Sequence, residues 1–357
     1  MNKGEWSEAY VLLKLLADGK LFLGDENYEK IPDVVYPILK LIKEEQNRIL
    51  EFSFLNDLVV IDTNGQSFKK PVADFITNAK LCFNKISAHR KGSLIIPEIT
   101  TFLNSFYASH STARSKHKQD ITVQIQDPKT FLSPVLGFSI KSQLGRPSTL
   151  LNASGATNFV YNLQGRQFSE REIQGINNTR SFSEKLDIIQ ELGGKLRFET
   201  VDNEIFKTNL QTVDTHFDKI LSEIVLTYYG NSNPDYKTIP YLISVISKNN
   251  PLGYNLSLNP NMYKMMIKKF LVDYALGMRA AEVWQREYQA TGGYLIVRQD
   301  GEVICYHFYF AKQFEEYLFQ NTKLDTPSSS RHGFGNIYKD HDGEMKFKLN
   351  LQIRFIK

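Results

Sequence analysis

Hydrophobic residues near the start of the chain repeat at the spacing of an amphipathic helix. Ala9, Leu12, Leu13 and Leu16 share one helical face and Asp18-Gly19 supplies a stop, so we predict a helix over residues 5–17. The following segments combine helical patterns with a strand pattern. We predict further helices over 33–46 (after Pro32), 71–85 and 97–108, and strands within 50–70 that turn at Asn64-Gly65.

The pattern changes period between residues 120 and 142. Ile121, Val123 and Ile125 alternate with polar residues, which is typical of a strand with one buried face. Asp127-Pro128 marks a turn, and residues 135–141 form a second apolar run that ends before Gly145-Arg-Pro-Ser. We therefore predict two neighbouring strands in this passage.

The rest of the chain mixes helical and strand patterns without an internal repeat or a low-complexity linker. We predict helices at 156–163, 183–192, 213–228, 236–248, 261–289 and 311–320, a strand at 195–201, and hairpins that turn at Asp300-Gly301 and Asp342-Gly343. The predicted fold class is α/β in the mixed α+β sense. No apolar run reaches the length of a membrane span, and the first residues lack the layout of a signal peptide.

Composition narrows the protein class only slightly. Hydrophobic residues make up 42% of the chain, which is ordinary for a globular protein, and Cys82 and Cys305 alone define neither a disulfide framework nor a metal knuckle. The net charge of +4, from 43 basic and 39 acidic residues, is too small to argue for nucleic acid. We expect a cytoplasmic protein.

Local charge is more informative than net charge. The stretch from His110 to Lys118 contains Arg114, Lys116 and Lys118, several hydroxyls and no acid. Basic and hydroxyl side chains are the usual contacts to DNA phosphates, although a solvated charged loop has the same composition. Both interpretations stay open on charge alone.

The two strands of the 120–142 passage carry the candidate chemistry. Asp120 has the parity of the polar face of the first strand, and Ser139 and Lys141 share one face of the second. An acid and a lysine on neighbouring strands suit phosphodiester hydrolysis, because a carboxylate holds a divalent cation such as Mg²⁺ and an ammonium stabilises developing charge. An exposed Asp and a surface Lys would give the same bare pattern, so the spacing by itself is weak.

A much longer pattern supports the chemical interpretation. The passage Asp120-Ile-Thr-Val-Gln-Ile, Leu136-Gly-Phe-Ser-Ile-Lys-Ser-Gln-Leu-Gly145 and Thr149-Leu-Leu-Asn-Ala-Ser154 resembles the catalytic region of the HpaII restriction endonuclease family. The opening Lys3-Gly-Glu-Trp-Ser-Glu-Ala-Tyr10 and the ending Asp325-Thr-Pro-Ser-Ser-Ser-Arg-His-Gly-Phe-Gly335 and Leu349-Asn-Leu-Gln-Ile-Arg-Phe355 are similar to that family too. The resemblance implies a PD-(D/E)XK nuclease core with a mixed central sheet flanked by helices, Mg²⁺, and cleavage of double-stranded DNA at a short palindrome, CCGG for the namesake.

One position departs from the wider nuclease pattern. Ser139 stands where an acid normally precedes the lysine by two residues, and a serine cannot supply the second negative charge for Mg²⁺. We expect Glu8, on the first helix, to replace that acid. Glu5 fits a capping box with Asn2, and Asp127 fits a turn before Pro128. Gln143 is a further candidate, either for positioning water or as a plain polar residue at a strand end.

Base recognition needs donors and acceptors at base edges, and arginine is the usual partner of guanine. We predict DNA-facing elements at the end of the catalytic strand and in two later segments. The candidate residues are Ser142, Arg146, Asn152, Ser154, Asn158, Ser330, Arg331 and His332. Phosphate contacts or plain surface positions remain alternatives for each of them.

Further expectations concern organisation and function. We expect a nuclease core within 1–200 and a helical and hairpin recognition region within 201–357, which could form one integrated domain. A palindromic site suits a two-fold homodimer, but a monomer is also compatible. A companion DNA methyltransferase is implied as a functional partner, not a physical one. The alternatives are a DNA-binding protein on an inactive nuclease scaffold, motivated by Ser139, and a Mg²⁺ nuclease for DNA repair.

Overall fold

A computed structural model describes residues 2–45, 48–90, 92–106, 108, 119–128, 130–307 and 311–356. The helices are α1 Lys3–Asp18, α2 Val72–Ala88, α3 Pro97–Asn104, α4 Glu170–Asn178, α5 Phe182–Glu191, α6 Glu204–Gln211, α7 Phe217–Tyr229, α8 Ile239–Asn249, α9 Met262–Leu276, α10 Ala311–Gln320 and α11 Ser329–His332. Two short 3₁₀ turns lie at Gly155–Thr157 and Pro234–Lys237. Over the described residues, none of the helices has both the length and the hydrophobicity to cross a membrane.

The strands complete a mixed α/β fold. They are β1 Lys20–Gly24, β2 Lys30–Glu45, β3 Arg48–Leu55, β4 Leu58–Thr63, β5 Gln66–Pro71, β6 Ile121–Ile125, β7 Val135–Ser142, β8 Thr149–Leu151, β9 Asn158–Gln164, β10 Lys195–Val201, β11 Gly293–Val297, β12 Val303–His307, β13 Thr322–Leu324, β14 Ile337–Lys339, β15 Met345–Asn350 and β16 Ile353–Phe355. The expectation of a mixed α/β fold is confirmed.

The largest sheet closes on itself. In the part of the chain that the structure describes, its order is β1-β12-β11-β7-β6-β2-β3-β4-β5, and the pairing of β1 with β2 turns the first six strands into a barrel. β7 is antiparallel to β6 and parallel to β11, which comes from the C-terminal half of the chain. Two smaller sheets follow the orders β10-β9-β15-β14 and β13-β16-β8. Closure leaves the barrel strands paired on both sides, so they have no open edge.

Two hydrophobic cores lie on opposite faces of the barrel wall. The N-terminal core packs α1, α2 and α3 against side chains from all six barrel strands, including Phe138 and Leu295. The C-terminal core packs the later helices and the smaller sheets, and it receives Tyr294 and Ile296 from the same strand that gives Leu295 to the other core. This alternation follows from the two-residue period of a strand. Strands β7 and β11 therefore run between the cores.

Three predicted elements are wrong. Of the helix predicted over 33–46, residues 33–45 belong to strand β2. Residues 158–164 form strand β9 rather than a helix, and the helix predicted over 261–289 ends at Leu276. Gly277 is the C-cap of that helix, and a Cβ there would lie 2.6 Å from the Trp284 ring, so this close approach requires glycine. Helices α4, α6 and α11 were not predicted. The other predicted helices, strands and hairpin turns are confirmed to within a few residues.

The division at residue 200 remains a prediction. Packing groups the chain in another way, because β11 and β12 complete the barrel that residues 20–142 begin. A nuclease core built on this barrel would take strands from both halves of the chain.

Candidate active site

The hairpin of β6 and β7 fixes the position of Asp120. Ile121 pairs with Phe138, and the Asp120 amide donates to the Phe138 carbonyl at 2.7 Å, which places Asp120 beside Ser139. The Asp120 Oδ2 accepts a hydrogen bond of 2.6 Å from the Ile140 amide. The carboxylate is thus tied to the next strand by the backbone itself.

The two faces of β7 are as predicted. Phe138 lies in the N-terminal core, whereas Ser139 and Lys141 belong to the opposite face by strand alternation. Ser139 is buried and pairs in register with Tyr294 of β11. The Lys141 Nζ lies 5.1 Å from the centroid of the Tyr294 ring, a cation–π contact that holds the ammonium near Asp120.

Burial and charge act against each other on the pair. Burial raises the pKa of the Asp120 carboxyl, while Lys141 and the Ile140 amide act to lower it. Burial lowers the pKa of the Lys141 ammonium, while Asp120 and Glu8 act to raise it. Burial is the larger influence on both pKa values, a combination that is common at functional sites and also occurs in structural ion pairs.

Glu8 and Lys141 line one cleft of about 800 Å³. The start of α1 forms part of one wall and the end of β7 part of the other. Two hydrogen bonds join these walls: Lys3 Nζ donates to the Leu144 carbonyl at 3.0 Å, and Ser7 Oγ donates to Ser142 Oγ at 2.7 Å. Glu8 acts electrostatically on both Lys141 and the buried Lys43.

The other two acids considered for the site have structural functions. Glu5 and Asn2 form a complete capping box, with bonds of 2.9 and 3.0 Å between each backbone amide and the opposite side chain. Asp127 lies in the turn after β6, where its Oδ2 accepts from the Thr130 hydroxyl at 2.8 Å. The capping box and the turn are thereby confirmed.

Gln143 and Ser142 lie at the end of β7. The Gln143 amide donates to the Val297 carbonyl at 2.9 Å, and its side chain faces the Tyr28 hydroxyl. Ser142 is half-buried, and its Oγ accepts from the Ser7 hydroxyl and the Leu144 amide. These contacts hold the end of β7 in place. The roles predicted for both residues toward DNA or water remain predictions.

The candidate DNA-reading residues divide by exposure. Arg146 is exposed and lines the same cleft as Lys141. Asn152, Ser330 and Arg331 are exposed as well, whereas Ser154 and His332 are half-buried. The exposed members are free to reach a ligand without moving the fold.

Asn158 joins the two predicted recognition segments. It is buried, its Nδ2 donates to the His332 carbonyl at 2.9 Å, and its Oδ1 accepts from Asn350 Nδ2 at 2.7 Å. Asn350 also donates to the Ser154 carbonyl at 2.7 Å. The hydrogen bonds of Asn158 are therefore within the protein, and they hold residues 149–158 against the loop of α11.

Sequence reasoning missed His89 and Arg90, which line the cleft from the end of α2. A basic residue after a helix is a common C-terminal feature, so the sequence offers no signal that would have placed them there. Arg114, Lys116 and Lys118 lie outside the described residues, so their predicted contacts to DNA remain predictions. Within the described ranges, no group of three His, Cys, Asp or Glu side chains converges as for a metal ion.

Comparison with known proteins identifies the class. A model of the HpaII restriction endonuclease family matches residues 2–355. The type II restriction enzyme HpaII of Haemophilus parainfluenzae is 45% identical over 362 residues, which cover 99% of this chain and 98% of that protein. No solved structure matches. The chain is a type II site-specific deoxyribonuclease. It belongs to the HpaII restriction endonuclease family, as the resemblance in the sequence predicted.

Proposed function

We propose that the chain hydrolyses phosphodiester bonds of double-stranded DNA in the cleft between α1 and β7, with Mg²⁺ as cofactor and a PD-(D/E)XK core as scaffold. One observation carries this proposal: Asp120, Lys141 and Glu8, which are distant in sequence, act electrostatically around the end of one strand. The hairpin of β6 and β7 with a parallel neighbour on β7 also suits the mixed central sheet expected of that scaffold.

The residues present fit a magnesium ion. Mg²⁺ prefers oxygen ligands and commonly uses one or two carboxylates, several waters and substrate phosphates. Asp120 and Glu8 would hold it, with no third acid required. When bound, the ion would polarise the scissile phosphate and make a bound water more acidic.

The protein groups around the ion have separate tasks. Lys141 would donate hydrogen bonds to the phosphate oxygens or to the attacking water, and so stabilise the charge that develops in the transition state. The Tyr294 ring holds its ammonium, and the Ile140 amide holds the Asp120 carboxylate. Ser139 can donate a hydrogen bond but adds no negative charge, which leaves Glu8 as the second acid.

Recognition would use the surface that leads away from this cleft. Residues 143–148 connect β7 to β8, and the segment 149–158 is joined to the loop of α11 through the bond from Asn158 to the His332 carbonyl. Arg146 and Arg331 are exposed guanidiniums on this path and suit guanine edges. By resemblance the site would be a CCGG-like palindrome, cut by a monomer or by a two-fold dimer and protected in the cell by a companion methyltransferase.

Digestion of a plasmid of known sequence tests the proposal. With Mg²⁺ we expect discrete fragments whose mapped ends share one short palindrome, and no cleavage when the metal is chelated. Random nicking would favour a repair nuclease instead. Binding without cleavage at any divalent metal would favour the inactive scaffold.

A further inference from the structure

Besides α1 and β7, a third part of the chain lines the cleft, and it has no role in the reaction as proposed. The end of α2 reaches the cleft, and Arg90 follows it with an exposed side chain. His89 is the C-cap of α2: its amide donates to the Lys85 carbonyl at 3.2 Å, and its ring Nε2 lies 3.1 Å from the Gly92 carbonyl oxygen. Arg90 therefore leaves the helix at a defined turn and faces the cleft that also holds Lys141.

The charge of the lining suits a polyanion. Among the described residues that line the cleft, Lys3, Arg90, Lys141 and Arg146 are cationic and Glu8 is the acidic one. Lys3 is committed to the Leu144 carbonyl, so it serves the fold. Arg90 and Arg146 remain as exposed guanidiniums contributed by two different parts of the chain. A cleft with this excess of positive charge attracts the phosphates of DNA.

The position of Arg90 is set by packing. Phe75, Ala79, Cys82 and Ile86 bury one face of α2 in the N-terminal core, against the helix that carries Glu8. A 17-residue helix fixed along its length places its last turn reproducibly relative to α1. A guanidinium on such a support can form two parallel hydrogen bonds to a phosphate at a low entropic cost.

We infer that Arg90 binds a backbone phosphate of the DNA across the cleft from the end of β7, and that His89 positions the turn that presents it. This inference rests on the proposed function only in that DNA must enter this cleft. It adds a phosphate contact from α2 to the contacts expected from the recognition surface.

Binding measurements on Arg90→Gln test the inference. Affinity for a cognate and for an unrelated duplex is measured without divalent metal over a range of salt concentrations. Loss of one phosphate contact should make the slope of log affinity against log salt shallower by about 0.9, and should weaken both duplexes alike. Arg90→Lys should restore most of the slope. Lys80→Gln, an exposed change on the same helix, should leave the slope unchanged.

A scan with neutral methylphosphonates locates the contact. Neutralising one particular phosphate should weaken DNA binding by the unaltered protein. The same neutralisation should not weaken binding by Arg90→Gln any further. An unchanged salt slope in Arg90→Gln, with a normal thermal unfolding midpoint, overturns the inference. Cleavage by Asp120→Asn would overturn the proposed active site instead, and the salt slope would still decide the role of Arg90.

Discussion

Two lysines on strands of this protein occupy opposite electrostatic settings. Lys346 of β15 is buried on the four-stranded sheet, and its Nζ lies 2.5 Å from Glu199, 2.8 Å from Glu344 and 3.5 Å from Asp340. Burial alone would lower its pKa, but the bonds to Glu199 and Glu344 outweigh burial and raise it. At Lys141, burial wins over Asp120 and Glu8, and the pKa is lowered.

The difference separates a lysine whose charge is compensated by carboxylates from one whose charge is not, which is the pattern that the proposed function requires of Lys141. Three carboxylates lie within 4 Å of the Lys346 ammonium. Its ion pairs connect β15 to β10 and to the turn that precedes β15. Lys141 contacts the Tyr294 ring, and Asp120 and Glu8 act on it electrostatically without outweighing its burial. Under the proposed function, its ammonium would donate to a substrate phosphate. Burial alone therefore does not distinguish the two lysines. What distinguishes them is whether the surrounding carboxylates outweigh the effect of burial on the lysine pKa.

The largest effect should come from the cleft. We expect Asp120→Asn and Lys141→Ala each to reduce cleavage by at least about 100-fold, because in the proposed mechanism each removes a group that would stabilise the transition state. Specific DNA binding should stay largely intact. Single-turnover cleavage and gel-shift affinity measure the two properties separately, and rapid cleavage by either variant would move the active site elsewhere.

Glu8 should give the next largest effect. Glu8→Gln should raise the Mg²⁺ concentration for half-maximal cleavage by roughly 10- to 100-fold and slow the reaction, since it removes the second acid near Lys141. A Mg²⁺ titration of the cleavage rate checks this.

Glu5→Gln is the matched control for Glu8. It lies on the same helix, within the capping box, and should chiefly affect thermal stability. Metal dependence that follows Glu5 and ignores Glu8 would show that the wrong acid was chosen. If neither change matters, Asp120, Ser139 and water suffice.

Lys346 should behave in the opposite way to Lys141. Lys346→Met should cost about 1–3 kcal/mol of unfolding free energy, between the values for exposed and for buried ion pairs, because its carboxylates are partly exposed. Cleavage per folded molecule should be unchanged. Denaturant melts together with the cleavage rate test both parts, and a loss of activity without a loss of stability would remove the contrast between the two lysines.

The smallest effect should arise outside the described residues. Replacing Arg114, Lys116 and Lys118 together by Gln should make the salt slope of DNA affinity shallower by up to about 2.7, without changing the cleavage position. A triple change of the exposed lysines Lys80, Lys195 and Lys248 is the control. Equal slopes in both triple variants would mean that the 114–118 stretch is an ordinary solvated loop.

The β6–β7 hairpin, which carries the proposed active site, could be predicted because the pattern that defines it lies within a short stretch of sequence. The alternation of Ile121, Val123 and Ile125 defines the strand, and strand parity places Asp120 and Lys141 on one face. Asn2 and Glu5 likewise predict their capping box from spacing alone. The approach of Glu8 was expected from a missing charge and a resemblance, and the cleft supports it without testing its role.

Other features of the fold depend on tertiary contacts, which the spacing of residues in the sequence does not reveal. Residues 33–46 show apolar positions compatible with a helix, but residues 33–45 lie in β2, where strands β1, β3 and β6 pair with them. Pro37 is a signal that the prediction did not use, because proline disfavours a helix interior; in β2 it lies next to the register shift between Ile38 and Lys40. Phe159, Val160 and Tyr161 are strand formers between β10 and β15, which the helical pattern concealed. The link from Asn158 to His332 joins residues 174 positions apart.

The pairing of β7 with β11 also determines when, during synthesis of the chain, β7 gains its second neighbour. The strand that carries Lys141 is synthesised long before its parallel neighbour, which follows only after residues 143–292. Until Gly293–Val297 is made, β7 lacks the Tyr294 ring and presents an unpaired edge. Long-range pairing of this kind forms late in folding. A growing chain that has reached β10 thus holds both Asp120 and Lys141 without the Tyr294 ring, so the proposed site is completed only after β11 has been made.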